Sequence, residues 1–444
     1  MSKQTQQQAN LQDLAQYVLE QARQRGATAA EVSTHGGEGL SVEVRMGEVD
    51  TLEYHRDQGM GLTVYFGQKK GHASTADLSP QALTDTIDAA CRIAKYTAED
   101  EYAGLADAEL MANEFPDLDL YHPWGISADE AIALAIDCEN AARDYSPLIT
   151  NADGTSVTTY QGSSVYANTH GFMGSKKGSR HSLSCSMVAQ QGDSMQRDYW
   201  YSSTRVPAQL ASAESVGKTA AERTIKRLHG KPIATTKAAV LYTPQVARSL
   251  IGHFTSAISG GAQYRKSSFF LDALGKQVFP DFVRLHEQPL IPQALGSASF
   301  DKEGVALKAK DLVTDGIIQS YLLSSYSARK LGMQSTGNAG GTHNLTLEST
   351  GHSFEELLKQ MDKGFLVSEL IGNSVNGITG DYSRGASGYW VENGEIQYPV
   401  EEVTIAGNLK DMYQGIVAIG NDIDTQANTR TGSILIDQMT IAGK

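Results

Sequence analysis

Between residues 29 and 76 the chain alternates apolar and polar side chains with a period of two, and this constrains its fold more than any other feature. Leu40, Val42, Val44 and Met46 alternate with Ser41, Glu43 and Arg45, and Met60, Leu62, Val64 and Phe66 alternate with Gly61, Thr63 and Tyr65. Successive side chains of a strand point to opposite faces, so each run presents one apolar and one polar face. Glycine bounds each run, which predicts an antiparallel meander over residues 29–76. Residues 155–204 read as a second group of strands, with Asp153-Gly154 marking a turn before them.

Helical patterns flank both groups. Residues 10–25 carry Leu11, Leu14, Val18, Leu19 and Ala22 on one side and stop at Gly26. A second helix starts at Ser79-Pro80 and runs to about residue 96. Ser127-Ala128-Asp129-Glu130 is a capping box opening a third, to about residue 144. Residues 207–228 form a fourth, ending at His229-Gly230. The order helix, strands, helix thus occurs twice, without a convincing sequence repeat. Residues 98–126 are acidic and irregular and read as a connector.

Lys231-Pro232 opens a second region. Short strands are expected near 238–243, 303–309 and 316–321, a short helix at 327–331, and a strand-rich stretch over 364–444 with a hairpin at Glu392-Asn393-Gly394-Glu395. The expected fold is α+β in two domains: residues 1–230, with possible subdomains near 1–100 and 125–230, and a mainly β domain over 231–444 holding one central helix at 244–259. Thr243 suits the N-cap of that helix, Pro244 its first position, and Gly260-Gly261 its stop. Val246, Leu250, Ile251, Phe254 and Ile258 give it one apolar face.

Composition excludes several classes. The 444 residues hold 43 glycines against 11 prolines, which favours turns between strands over disorder. The net charge of −14 opposes contact with phosphate backbones. The basic clusters Lys69-Lys70, Lys176-Lys177-Gly178-Ser179-Arg180 and Arg265-Lys266 lack the interleaved aromatics of a base-stacking surface, so nucleic-acid binding is not expected. The cysteines Cys91, Cys138 and Cys185 form no C-x-x-C and suit a reducing compartment. No secretory signal follows Met1, and no apolar run reaches the roughly 20 residues of a membrane span. A soluble, cytoplasmic protein is expected.

The helix at 244–259 and its basic exit, Arg265-Lys266, resemble the TldD/PmbA family of bacterial metalloproteases, historically called modulators of DNA gyrase. The segments Ser335-Thr336-Gly337-Asn338-Ala339-Gly340-Gly341 and 380–394, which opens Gly380-Asp381-Tyr382-Ser383-Arg384-Gly385, together with that helix and the N-terminal meander, extend the resemblance over nearly the whole chain. In the catalytic branch of that family the helix carries His-Glu-x-x-x-His, followed by Gly and Arg-Lys. Set against Gly261 and Arg265-Lys266, that pattern places Gly252 and His253 where the first His and the Glu belong, and Ala257 where the second His belongs. A zinc site needs several strong donors together. The two histidines of the motif lie roughly 140° apart around a straight helix, which makes the motif demanding and its loss hard to replace from nearby residues. The catalytic branch also uses a late cysteine as ligand, and this chain has none after Cys185.

The resemblance therefore points to the PmbA branch, also called TldE, whose helix is pseudo-active. It implies no metal or other cofactor in this chain and a heterodimer with a TldD-type subunit that carries the zinc. It further implies unfolded or extended peptides as substrates, and the maturation of a peptide-antibiotic precursor. Homodimers of the chain alone remain open. His253, Arg265, Lys266, Thr336, Gly337, Asn338, Asp381, Tyr382 and Arg384 become candidates for substrate or interface contact, and none for catalysis. Each also has a plainer reading: a packed helix histidine for His253, a tight loop with positive φ for Thr336-Gly337-Asn338, and turn chemistry for Asp381, Tyr382 and Arg384.

Other chemistries find little support. His286-Glu287 is followed by Pro289, which is hostile to a zinc-binding helix, so the pair is read as incidental. There is no G-x-S-x-G and no phosphate-binding G-x-x-x-x-G-K-[ST]. Ser327-Ala328-Arg329-Lys330 fits S-x-x-K, a short pattern that chance supplies often. An autonomous metalloprotease with dispersed ligands, and a non-enzymatic binding protein acting on gyrase or its regulators, stand as alternatives.

Overall fold

A computed structural model describes residues 3–443. Its first half comprises α1 (Lys3–Gln24), β1 (Ala29–Arg45), β2 (Glu48–Phe66), β3 (Lys69–Thr75), α2 (Pro80–Tyr96), α3 (Ala128–Arg143), β4 (Ile149–Asn168), β5 (Met173–Gln191), β6 (Ser194–Thr204) and α4 (Ala213–Lys226). The strands form one sheet in the order β3-β2-β1-β4-β5-β6. The two helix–strands–helix units therefore meet through their first strands, with β1 and β4 antiparallel from Glu31↔Asn168 to Val44↔Thr155. The alternation read from the sequence is the alternation of burial. Val32, Thr34, Leu40, Val42 and Val44 are buried on one face of β1. That face carries α1 and α2 over one end and α3 and α4 over the other, in two apolar clusters. The opposite face is polar and rich in glycine and serine, with Ser33, His35, Tyr160, Ser164, Lys176 and Arg180 along its central strands.

The second half contains β7 (Thr236–Tyr242), α5 (Pro244–Ala257), α6 (Gly260–Tyr264), β8 (Leu285–Glu287), β9 (Lys310–Thr314), β10 (Ile317–Ile318), α7 (Ser325–Leu331), β11 (Leu345–Leu347), α8 (Phe354–Met361), β12 (Gly364–Val375), β13 (Asp381–Glu392), β14 (Glu395–Asn408), α9 (Leu409–Gln414), β15 (Ile416–Ile419), β16 (Thr429–Arg430) and β17 (Ile434–Ala442). One sheet runs β10-β9-β8-β11-β16 and the other β14-β13-β12-β7-β17-β15. In the latter, β14 also pairs with β17, which closes five of the strands on themselves. Helix α5 buries Ala247, Leu250, Ile251 and Phe254 in a core shared with Tyr242, Phe365, Tyr382 and Tyr413. The α+β class is as the sequence predicts.

Some local signals decide the structure and others yield to tertiary pairing. Ser79 and Ser127 cap α2 and α3, the latter in a full capping box. The Asn393-Gly394 hairpin is present, with φ of 56° and 72° at its two residues. Asp153-Gly154 does not turn the chain: it lies inside β4, where two register shifts against β5 mark a bulge. The bulge suits Gly154, because a Cβ there would meet Glu43 Oε1 at 2.4 Å. Residues 303–309 form no strand beyond the bridges Met111↔Val305 and Phe300↔Ala306. Asp301 instead accepts hydrogen bonds from the backbone N–H groups of Glu303, Val305 and Ala339, a side-chain-built turn that competes with a ladder. Residues 207–212 precede α4 rather than belong to it, since Ser212 is the cap. Helix α1 begins earlier than expected, at Lys3. The glycines after α5 do not end the helical path; Ser259 caps α6 there, and Gly260 sits where a Cβ would meet Ser327 Oγ at 2.2 Å. Thr243 occupies the N-cap position of α5 without a side-chain capping bond.

The connector is anchored rather than loose. Arg329 of α7 donates to the carbonyls of Tyr102, Gly104 and Leu105 and to Asp107. Tyr326 donates to Asp100 at 2.8 Å.

A buried ionic network ties β8 to the loop after α7. The carboxylate of Glu287, 1% exposed, lies 3.1 Å from Lys310 Nζ and 3.1 Å from His343 Nδ1. It accepts from the backbone N–H of His343 at 2.6 Å and from Asn338 Nδ2 at 3.2 Å. Lys310 also donates to Asn338 Oδ1 and the Thr336 carbonyl. Burial alone would raise the Glu287 carboxyl, but the His343, Lys310 and Asn338 interactions outweigh it and hold the group below the usual carboxylate range. A depressed folded-state value contributes stability above the unfolded-state pKa, and that stability is lost as pH falls through the folded value. Glu287→Gln leaves Lys310 without its counter-charge and is expected to cost about 3–5 kcal/mol, read as a lower urea midpoint at pH 7. The deficit relative to the parent should shrink as the pH is lowered below about 4; an equal deficit at every pH would contradict the ionic account.

Candidate functional site

The apolar stripe of α5 fixes which of its residues face outward. Phe254 packs against Phe279 and Tyr413, with ring centroids 5.0 and 6.0 Å away. Tyr413 Oη donates to the Leu250 carbonyl at 2.8 Å. With that face turned in, Arg248, Gly252, His253 and Ser256 lie on the outer side, and Gly252 and Ser256 are exposed. Arg248 reaches Tyr201 Oη of β6 at 3.2 Å and Asp424 at 3.5 Å, so the outer side of α5 adjoins the polar face of the first sheet.

Three of the residues singled out from the sequence converge here. The imidazole of His253 meets the ring of Tyr382 edge-on, with centroids 6.1 Å apart. Arg384, two residues further along β13, is close enough to act electrostatically on both. His253 Nε2 and Arg384 Nε are buried without a hydrogen-bond partner, and the buried Tyr382 hydroxyl has Tyr242 and Arg384 beside it. Such orphans are unusual, because an unmade buried hydrogen bond costs about 1–3 kcal/mol. Burial, and then the positive charge of Arg384, hold the His253 imidazole below its ordinary pKa and so favour its neutral form. Tyr382 is 1% exposed, so the cluster lies beneath the surface beside α5 rather than on it.

The other candidates lie elsewhere. Thr336 and Asn338 belong to the Glu287 network, with Thr336 Oγ1 donating to Asn338 Oδ1 at 2.8 Å. Gly337 between them has φ +71°, the left-handed conformation that favours glycine. Arg265 and Lys266 are exposed beyond α6, where Arg265 stacks over Tyr264 and donates to its hydroxyl at 3.0 Å. Asp381 is engaged in turn chemistry, accepting from Thr379 Oγ1 at 2.6 Å and Asn408 Nδ2 at 3.2 Å. The sequence reading missed Glu287 as the centre of a network. His286-Glu287 is incidental as a zinc motif, lying on a strand, but Glu287 is the hub of the loop that holds Asn338. No local pattern could have shown this, since Lys310, Asn338 and His343 reach it from distant segments.

Among the described residues, no group of three His, Cys, Asp or Glu is placed to hold a metal ion. Cys91, Cys138 and Cys185 are all buried and free.

Three domain models of one family match the chain. They are the PmbA/TldA metallopeptidase domain 1 over residues 30–94, the central domain over 121–228 and the C-terminal domain over 235–443. Metalloprotease PmbA of Escherichia coli O157:H7 is 49% identical over 415 residues, covering 94% of this chain and 92% of that protein. The Metalloprotease PmbA homolog of Haemophilus influenzae is 46% identical over 438 residues, covering 98% and 97%. A crystal structure from Bacteroides thetaiotaomicron, described as a modulator of DNA gyrase, superposes with a TM-score of 0.93 at 28% identity, covering 98% of this chain and 99% of that one. TldE from Thermococcus kodakarensis shares the fold, with a TM-score of 0.86 at 18% identity, covering 97% and 100%. From its first domain to its last, the chain belongs to the PmbA/TldD metallopeptidase family.

Proposed function

We propose that this chain is the non-catalytic, TldE-type subunit of a two-subunit cytoplasmic peptidase. A TldD-type partner carries the zinc and the hydrolytic chemistry, and this chain completes the site that receives unfolded or extended peptides. Maturation of a peptide-antibiotic precursor is one reaction such an assembly would perform.

The observation that carries this reading is the donor set on α5. The family name implies a metal, and the residues present do not fit one. Gly252 has no side chain, Ala257 offers a methyl group, and His253 alone is one imidazole where a zinc site needs three or four donors. The two empty positions differ in kind. A Cβ built on Gly252 would meet nothing within 4 Å, so that position opens outward. Ala257 is 3% exposed, and its carbonyl accepts from Gln263 Nε2 and Ser268 Oγ, each at 2.7 Å. The second ligand position is thus closed by the chain segment that follows the helix. What remains on the outer side is the exposed Gly252 and Ser256 and the half-buried edge of His253, a surface that can lie against a partner but offers no ligand set.

Two outcomes follow. Gly252→His should fold with a stability change within about 1 kcal/mol, because it removes a helix glycine and enters open space. Ala257→His should cost about 1–3 kcal/mol by overpacking, or more if the Gln263 and Ser268 bonds break. Thermal melts of both variants check this, and equal tolerance at the two positions would contradict the closed geometry. The functional reading is tested by co-expression with a TldD-type subunit. A stable 1:1 complex that cleaves an unstructured peptide faster than the partner alone is expected, with this chain inactive by itself. Peptidase activity of this chain alone would favour the autonomous enzyme, and a complex no more active than the partner would remove the accessory role.

A further inference from the structure

The basic run Lys176-Lys177-Gly178-Ser179-Arg180 takes no part in the α5 site. It lies on β5 beyond the end of β6, whose last pair is His181↔Thr204, and there it lines a cavity of about 540 Å³. Arg205 lines the same cavity. Its guanidinium lies against the strand because Gly178 leaves room; a Cβ at Gly178 would meet Arg205 Nη1 at 2.9 Å.

None of these four cations is paired with a carboxylate among the described residues. Lys176 donates to the Phe300 carbonyl at 2.6 Å and lies over the Phe300 ring. Lys177 leaves the opposite face of β5, where it lies over the ring of Tyr121. Arg180 donates to Ser203 Oγ at 3.0 Å. Arg205 donates to the carbonyls of Ala294, Ser179 and Leu295. Carbonyls and rings position these groups without neutralising them. The lining contains a single carboxylate, Asp117, and His35, which faces Asp57 at 3.5 Å. The carboxylate of Asp301, near Lys176, is occupied by three backbone N–H groups.

Gathering positive charge in a partly desolvated recess works against itself. Burial, and then Arg180, pull Arg205 below its ordinary pKa. Burial pulls Lys176 down to about 8, with Asp301 opposing and Lys302 adding to the effect. In a chain of net charge −14, such a concentration of unpaired cations marks a place for anions. The cavity falls within the roughly 300–1,000 Å³ of ligand sites. Phe115, Pro116, Leu118 and Leu120 of the connector add apolar lining to the same cavity, with the Leu120 carbonyl accepting from Ser179 N–H beside the cations. That combination suits carboxylate side chains carried on a polypeptide. It does not suit a nucleic-acid duplex, which the overall charge repels.

We propose that this cavity binds an acidic stretch of an extended peptide, its carboxylates paired with Lys176, Arg180 and Arg205. The proposal rests on the peptide-substrate reading above but not on catalysis, so the two can fail separately.

The test is fluorescence anisotropy with the full-length chain and three labelled probes. These are an unstructured peptide of Gly, Ser and Glu, its counterpart with Lys for Glu, and a single-stranded oligothymidylate. The Glu peptide should bind, more weakly as salt rises, and the Lys counterpart should not. Arg180→Glu, at an exposed position on the cavity face, should weaken binding about tenfold or more, while Lys69→Glu with Lys70→Glu leaves it unchanged. Equal binding of the two peptides, an unchanged affinity in Arg180→Glu, or tighter binding of the oligonucleotide than of the Glu peptide would overturn the proposal. If the Glu peptide fails to bind while the reconstituted complex still cleaves peptides, only the acidic-stretch proposal falls.

Discussion

The rotational setting of α5 governs the rest of the functional argument. Phe254 lodged against Phe279 and Tyr413, with Tyr413 bonded to the Leu250 carbonyl, leaves the helix one orientation. Full burial of a phenylalanine contributes about 1.5–3 kcal/mol, and rotating the helix to bring position 257 outward would forfeit it together with Leu250 and Ile251. In this setting position 252 is open, 253 is half-buried and 257 is inside. A pair of ligands five residues apart would need a helix distorted to aim both at one point. This helix is regular and its apolar face is full. The loss of donors and the packing of the helix are therefore two aspects of one arrangement.

The first half of the chain shows a second consequence of patterning. Its sheet is apolar on one side and polar on the other, and the four helices all cover the apolar side. The polar side is left to face the second half, through Arg248 with Tyr201 and Lys176 with Phe300. An antiparallel sheet tolerates one polar face readily. Here that face also supplies the recess in which unpaired cations gather.

Period-two runs, capping serines and the Asn393-Gly394 hairpin were legible because each is decided by residues within a few positions. So was the outline of α5. Asp153-Gly154 was misread because turn chemistry is local, whereas the pairing of β4 with β5 on both sides of it is not. Residues 303–309 were misread because Asp301 captures the backbone amides that a strand would have offered. The Glu287 network and the basic recess were illegible for a common reason: Lys310, Asn338 and His343, or Arg205 and the 115–120 segment, come together only through tertiary structure. His253, Tyr382 and Arg384 were found through family resemblance. Their separation of about 130 residues carries no signal of its own.

The central claim is that the outer face of α5 cannot grip a divalent ion. Its most direct test is the zinc content of the purified chain after incubation with excess zinc and gel filtration, measured by elemental mass spectrometry. The account predicts well under one equivalent, unchanged by His253→Ala. One equivalent of retained zinc that disappears in His253→Ala would contradict it.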